Sequence, residues 1–408
     1  MSKTITAKTA QQQIDLFAQK KSARVNSIDL LRGFIMIVMA LDHTRDFFHT
    51  AAWTEDPLNL ATTTPLLYFT RWITHLCAPN FVFLAGISIY FQSLRKTKKE
   101  LSSFLLKRGV WLVFVEIIIV NFEFSFDFHF SFFALQVIWA IGISMIILGL
   151  LIRLPYAAIL IIGAVIILGH NSLDYYEANL KQQPAWWYSM LHMRGTYKLS
   201  ENRNLLIFYP FLPWAGLMIM GYCFGKLFLK FEGSKRKKML LLLGCCVLLF
   251  FVVLRYTNSY GDPGKWSIQK NGLYTFPSFI NLQKYPPSLL FMCATVGLAL
   301  LFLAFAGHSN NRLSRFITVY GRVPFLYYVL HFFLIHAVSA CFFFARGHAA
   351  KEGIHLGQEI PNFIIPGEGI SLGFVYLIWI CIVLCLYPVC KWFSEHKRTN
   401  RDWWLSYL

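Results

Sequence analysis

Of the 408 residues, 56% are hydrophobic and 14% charged, against about 25% charged in ordinary soluble domains. With a mean hydropathy of +0.51 the chain has too much apolar surface for a soluble core, so an integral membrane protein is expected. The formal charge of +18 does not imply nucleic-acid binding, because Lys and Arg cluster in short loops between apolar segments, as orientation signals do.

Residues 1–26 are polar and read as a cytoplasmic tail. No cleavable signal peptide is visible, so the first apolar helix is expected to stay as an anchor. Segments of about 17–25 residues are needed to span hydrocarbon. By that measure candidate helices fall at 27–48, 66–94, 104–122, 130–152, 154–170, 205–229, 238–255, 286–307, 322–345 and 369–392. The fold class is therefore all-α, a polytopic bundle of about ten transmembrane helices. Residues 27–393 form one domain and 394–408 a second cytoplasmic tail. Most basic residues fall on one side when both termini are placed in the cytoplasm. The expected location is the cytoplasmic (inner) membrane. The nine cysteines lie in apolar stretches, without disulfide or zinc spacing, and read as packing residues.

The first helix is unusual at its outer end, where Asp42, His43, Arg45, Asp46 and His49 crowd together. A charge at mid-bilayer costs at least about 2.5–3.5 kcal/mol, so such groups are functional candidates. Arg32 and His43 are eleven residues apart, which is three helical turns plus about 20°, so they share a face about 16 Å apart. Asp29, three residues before Arg32, can hold its guanidinium. Asp46 lies three residues from both His43 and His49 and can orient either imidazole as a base. Asp42 and Arg45 are expected to pair at the outer rim.

Helix two adds Arg71 and His75, with Pro79 expected to bend it. Glu116, Gln136, His331 and His336 lie on later helices, and each could equally be interhelical glue. Several histidines at similar depth, with no His-Glu-x-x-His spacing, favour acid–base chemistry over a metal site. Two outer loops, 171–204 and 256–285, are rich in aromatic and turn residues and read as an interfacial belt, with a carbohydrate-stacking platform as the alternative.

Ser27–His43 (SIDLLRGFIMIVMALDH), His75–Ser88 (HLCAPNFVFLAGIS), Tyr209–Gly225, Lys284–Phe291 (KYPPSLLF) and Tyr320–His336 follow in order. Over about residues 25–395 the chain resembles the catalytic domain of the heparan-alpha-glucosaminide N-acetyltransferase family. That family belongs with the broader transmembrane acyltransferases, which include the acyltransferase-3 proteins. The resemblance implies an acyltransferase that takes an acetyl group from cytoplasmic acetyl-CoA. It delivers that group to an amine or hydroxyl of an extracytoplasmic saccharide. Arg32 and His43 have the spacing of a functional pair in acyltransferase-3 proteins. His49, followed by Thr50, Ala51, Ala52 and Trp53, resembles the position of the catalytic histidine in the heparan enzymes. The two precedents point to different bases, and both histidines stay candidates.

The expected site is thus His43, His49 and Asp46 as catalytic residues, with Arg32, Asp29, His75 and His331 binding substrate. Acetyl-CoA is the cosubstrate, and no metal is expected. The partners are membrane lipid, acetyl-CoA and the saccharide, not nucleic acid; a homodimer is allowed. The rival reading is a proton-coupled solute transporter that uses the intramembrane Asp, His and Arg groups. The sequence has no internal repeat and no paired glycine-broken helices, which argues against it.

Overall fold

A computed structural model describes residues 26–307, 311–400 and 402–407. The chain is an all-α polytopic membrane bundle. Its first helix, α1, covers 26–48. Next, α2 (Pro65–Ile73) passes through a 3-10 turn, Thr74–Leu76, into α3 (Cys77–Ser93). The interruption falls where Pro79 removes the bond to the carbonyl four residues back, that of His75. One neighbouring carbonyl, that of Leu76, instead accepts from the Asn80 side chain at 2.8 Å.

The helix α4 (Lys98–Val115) opens on a Thr97–Glu100 capping box and continues through a π-helical stretch, Glu116–Val120, into α5 (Asn121–Ser125). After it come α6 (Val137–Leu151), α7 (Tyr156–Gly169), α8 (Ser172–Glu177) and α9 (Trp186–Leu191). The remaining helices are α10 (Phe211–Lys230), α11 (Gly233–Thr257), α12 (Gly272–Ile280), α13 (Leu289–Ala306), α14 (Arg312–Arg322), α15 (Pro324–Ala345) and α16 (Leu372–Thr399).

Among the described residues, seven stretches are long and apolar enough to cross a membrane: 65–93, 156–177, 211–230, 233–257, 289–306, 324–345 and 372–399. Helix α6 is shorter, at 15 residues. Every expected helix has a counterpart, several with shifted boundaries such as α4, which starts at Lys98 rather than 104; three differences matter most. Residues 132–135, expected as the start of a helix, form strand β1 (Phe132–Leu135). Residues 205–207, likewise expected as helix, belong to β3 (Arg203–Ile207). With β2 (Gly195–Ser200) they make a sheet of order β1-β3-β2, parallel between β1 and β3 and antiparallel between β3 and β2. A short apolar run carries no periodicity that separates strand from helix. The third difference is α16, which runs six residues into the expected C-terminal tail. The N-terminal tail, up to residue 25, lies outside the described residues.

Glycines set the helix crossings. A Cβ on Gly33 would meet the Ile317 carbonyl oxygen at 2.0 Å, and one on Gly321 would meet that of Asp29 at 1.8 Å. Gly86 and Gly221 face α10 and α3 in the same way, at 2.2 Å each, and Gly109 and Gly142 pair α4 with α6. Small residues let backbones touch where lipid offers no hydrophobic drive between helices. Elsewhere α7 and α11 turn Ile161, Val165, Leu242 and Leu249 outward, as lipid-facing helices do.

Candidate active site

A cavity of about 770 Å³ runs beside α1. Its lining begins at Arg32 and reaches Asp42, His43, Arg45 and Asp46, so the eleven-residue spacing does place both ends of one shaft on one helix face.

At the first end Arg32, Arg108, Arg322 and Lys397 line the wall. Arg32 is fixed by three acceptors. Its Nη1 donates to Asp29 Oδ1 at 2.9 Å and to the Gly321 carbonyl at 3.1 Å, and its Nη2 to Ser88 Oγ at 3.0 Å. The Asp29–Arg32 pairing is the one the i,i+3 spacing suggested. Between the two ends the lining is mainly apolar and includes Ala78, Phe81, Ala85, Leu112, Ile138 and Ile141.

At the other end Asp42 bridges two guanidiniums, Arg45 at 3.0 Å and Arg71 at 2.6 Å. All three are largely buried and line the cavity, so this is not a solvated rim pair. Lys284 and Tyr285 also face this chamber, and no carboxylate lies within 4 Å of Lys284 among the described residues. The mouth is framed by Arg194, which pairs with Glu359 at 3.2 Å, and by Leu206 and Phe208 from the sheet and the residues after it.

The histidines separate here. His43 lines the cavity; its ring centroid is 4.5 Å from that of Phe332 and 5.4 Å from that of His331. His75 also lines it, and both its ring nitrogens are buried without a hydrogen-bond partner. His331 is fully buried behind His43 and is not part of the lining. His49 lies just past α1, where its Nδ1 accepts from the Ala51 amide at 3.2 Å and its backbone bridges to Ile370. Burial, and then the Arg45 guanidinium, push its pKa down. It is not among the lining residues; Trp53 is, with its indole donating to the Asp46 carbonyl at 2.8 Å.

Asp46 makes no hydrogen bond to either imidazole among the described residues. Its carboxylate pairs with Arg45, because a charge-assisted bond to a guanidinium outcompetes one to a neutral ring. Glu116 proves structural: it accepts from the Gln136 and Trp139 amides and so caps the start of α6. His336 is similarly held between the Glu123 and Asn362 carbonyls.

Away from the cavity, Asp174, Glu177 and His192 offer donor atoms within 4.8 Å of one another, a grouping no short motif announces. Lys284, Tyr285, Arg108, Arg322 and Lys397 carry no local signal of a site: the basic ones look like orientation charges, and only the Lys284–Phe291 motif marks Lys284.

A family model described as heparan-alpha-glucosaminide N-acetyltransferase, catalytic, matches residues 24–254. The match spans Arg32, His43, Asp46, His49 and His75 but ends before Lys284 and His331. No curated protein matches the chain.

Proposed function

We propose acetyl transfer across a membrane, from the premise that this chain belongs to the heparan-alpha-glucosaminide N-acetyltransferase catalytic family. That family makes it a membrane acyltransferase. The finer reading is that acetyl-CoA is the donor and an amine or hydroxyl of an extracytoplasmic saccharide the acceptor. The observation that carries it is the single shaft joining four cations to His43.

Acetyl-CoA would enter from the end of Arg32, Arg108, Arg322 and Lys397, which suit its phosphates. The bias of basic residues supports a cytoplasmic position for that end. The pantetheine arm would lie along the apolar wall and bring the thioester to His43, about 16 Å along α1. The acceptor would come from the opposite mouth, past Arg194 and Trp53.

His43 takes the proton of the acceptor N–H or O–H as that atom attacks the thioester carbon. The C–S bond then breaks, and the imidazolium returns its proton to the departing thiolate. The products are an N- or O-acetyl saccharide and free CoA thiol. Positioned proton transfer of this kind contributes roughly 10²–10⁴-fold. Lys284 and Arg71 supply positive charge where the thioester oxygen becomes an oxyanion. An acetyl-histidine intermediate on His43 would use the same groups.

The test compares wild type, His43→Ala and His49→Ala in detergent, following transfer of labelled acetyl from acetyl-CoA. His43→Ala should abolish transfer with folding intact, and His49→Ala should keep most of it. Full activity in His43→Ala removes the base assignment. Solute-driven proton movement in liposomes, with no acetyl-CoA binding, would favour transport instead.

A further inference from the structure

We infer that His331 is the positioning partner of His43, the role Asp46 does not fill; this rests on His43 being the base. His331 sits on α15 with Nδ1 2.9 Å from the Tyr327 carbonyl oxygen. A carbonyl only accepts, so Nδ1 carries the ring proton. In the neutral ring that leaves Nε2 as a bare lone pair. The ring therefore has no proton to offer a substrate carbonyl, and it does not line the cavity, unlike the substrate-binding residue expected there.

That Nε2 is buried with no hydrogen-bond partner. Leaving such an atom unpaired costs about 1–3 kcal/mol, so a donor is called for. The ring cannot easily turn away: it lies parallel to that of Tyr327 at 5.1 Å, with Tyr328 and Phe332 packed against it. His43 is 5.4 Å off between ring centroids, tilted by 51°. Its own ring nitrogens make no hydrogen bond among the described residues.

A second pair in the same protein supplies the scale. His170 and His192 have centroids 5.3 Å apart, and their nitrogens are within 3.1 Å. His43 thus stands at the separation from which a ring rotation puts its N–H on His331 Nε2. The charged groups facing His43 are Asp42, Arg45, Arg71 and Lys284; Asp42 already holds the two guanidiniums.

The consequence is a defined tautomer. With one His43 N–H donating a hydrogen bond to His331 Nε2, the other nitrogen is bare and faces the cavity as the base. When His43 becomes an imidazolium, the bond to Nε2 strengthens and stabilises the new charge. His331 acts through His43 and touches no substrate.

The experiment compares His331→Phe, which keeps the ring and the stacking but has no acceptor, with His331→Gln, whose side-chain oxygen reaches a similar position. Acetyl-CoA and an excess of glucosamine serve as probes, with His43→Ala alongside. His331→Phe should lower kcat roughly 10–100-fold with KM for acetyl-CoA unchanged within about twofold. The acid limb of its pH–rate profile should move to lower pH, and His331→Gln should restore part of both. Labelling of His43 by diethylpyrocarbonate against pH, read by peptide mass, checks the same shift without any acceptor.

A raised KM at unchanged kcat would make His331 a substrate contact and overturn the inference. So would a fall in kcat with no pH shift and no rescue by Gln, or an unchanged labelling profile. Wild-type activity in His43→Ala is a separate result: it removes the proposed base, whatever His331 does.

Discussion

The crossing of α1 and α14 is the point at which a single methyl group should do the most damage. In Gly321→Ala the added carbon would stand 1.8 Å from the Asp29 carbonyl oxygen and 2.7 Å from the Asp29 carbonyl carbon. Carbon–oxygen contacts need about 3.3 Å or more, so the two backbones must part by roughly 1.5 Å. Forcing atoms into a packed interior costs about 1–3 kcal/mol. The upper end applies here because the obstacle is backbone, not a flexible side chain. Arg32 donates to the Gly321 carbonyl at 3.1 Å, and that bond is stretched as well; hydrogen bonds to charged groups are worth about 1.5–3 kcal/mol.

A loss of about 3 kcal/mol or more should lower Tm in detergent by about 6 °C, at roughly 2 °C per kcal/mol for a long chain. The displaced Arg32 should also weaken the rise in Tm that acetyl-CoA produces. Gly373→Ala is the control: nothing lies within 4 Å of its added Cβ, so Tm should hold or rise slightly. A Gly321→Ala protein that melts with wild type and keeps its full response to acetyl-CoA would refute the crossing as described.

Acetyl-CoA at about a hundred times its Kd should stabilise wild type by about 2.7 kcal/mol. Arg108→Met combined with Lys397→Met should remove most of that gain, measured as the ligand-dependent shift in Tm. Asp42→Asn leaves two buried guanidiniums without their shared carboxylate and should cost about 3–5 kcal/mol, read by the same melts. Asp42→Asn combined with Arg71→Met should recover part of the loss. In the loop before α16, His348 sits 3.1 Å from Glu352 and 2.8 Å from Glu368, which raise its pKa above 6.5. The clip is thus fully present below about pH 6.5 and lost as pH rises through the folded-state value. His348→Phe should abolish that pH dependence in protease cleavage of residues 346–369.

Some of this protein is written in local spacing. Apolar runs of spanning length place the helices, because a bilayer demands internally bonded backbone. The eleven-residue step from Arg32 to His43, and the three-residue step from Asp29 to Arg32, fix faces of a helix whatever surrounds it. Periodicity says nothing about a short apolar run, so β1 and β3 read as helix until their pairing is seen. Nor does spacing settle competition between partners: Asp46 could reach two imidazoles, and only the packed structure delivers its carboxylate to Arg45.

The same holds for the choice between histidines. One residue of extra helix or one early turn decides where His49 points, and just past the end of α1 its backbone bridges to Ile370, more than three hundred residues away. The second wall of the shaft comes from residues remote in the chain, such as Lys284, Tyr328 and Lys397. By itself the sequence determined a membrane bundle with a polar stripe on its first helix, because those follow from hydrophobicity and helical pitch. Tertiary packing decided which charges pair, which imidazole faces the cavity and which stands behind it, because burial and the lack of competing water are properties of the assembled bundle.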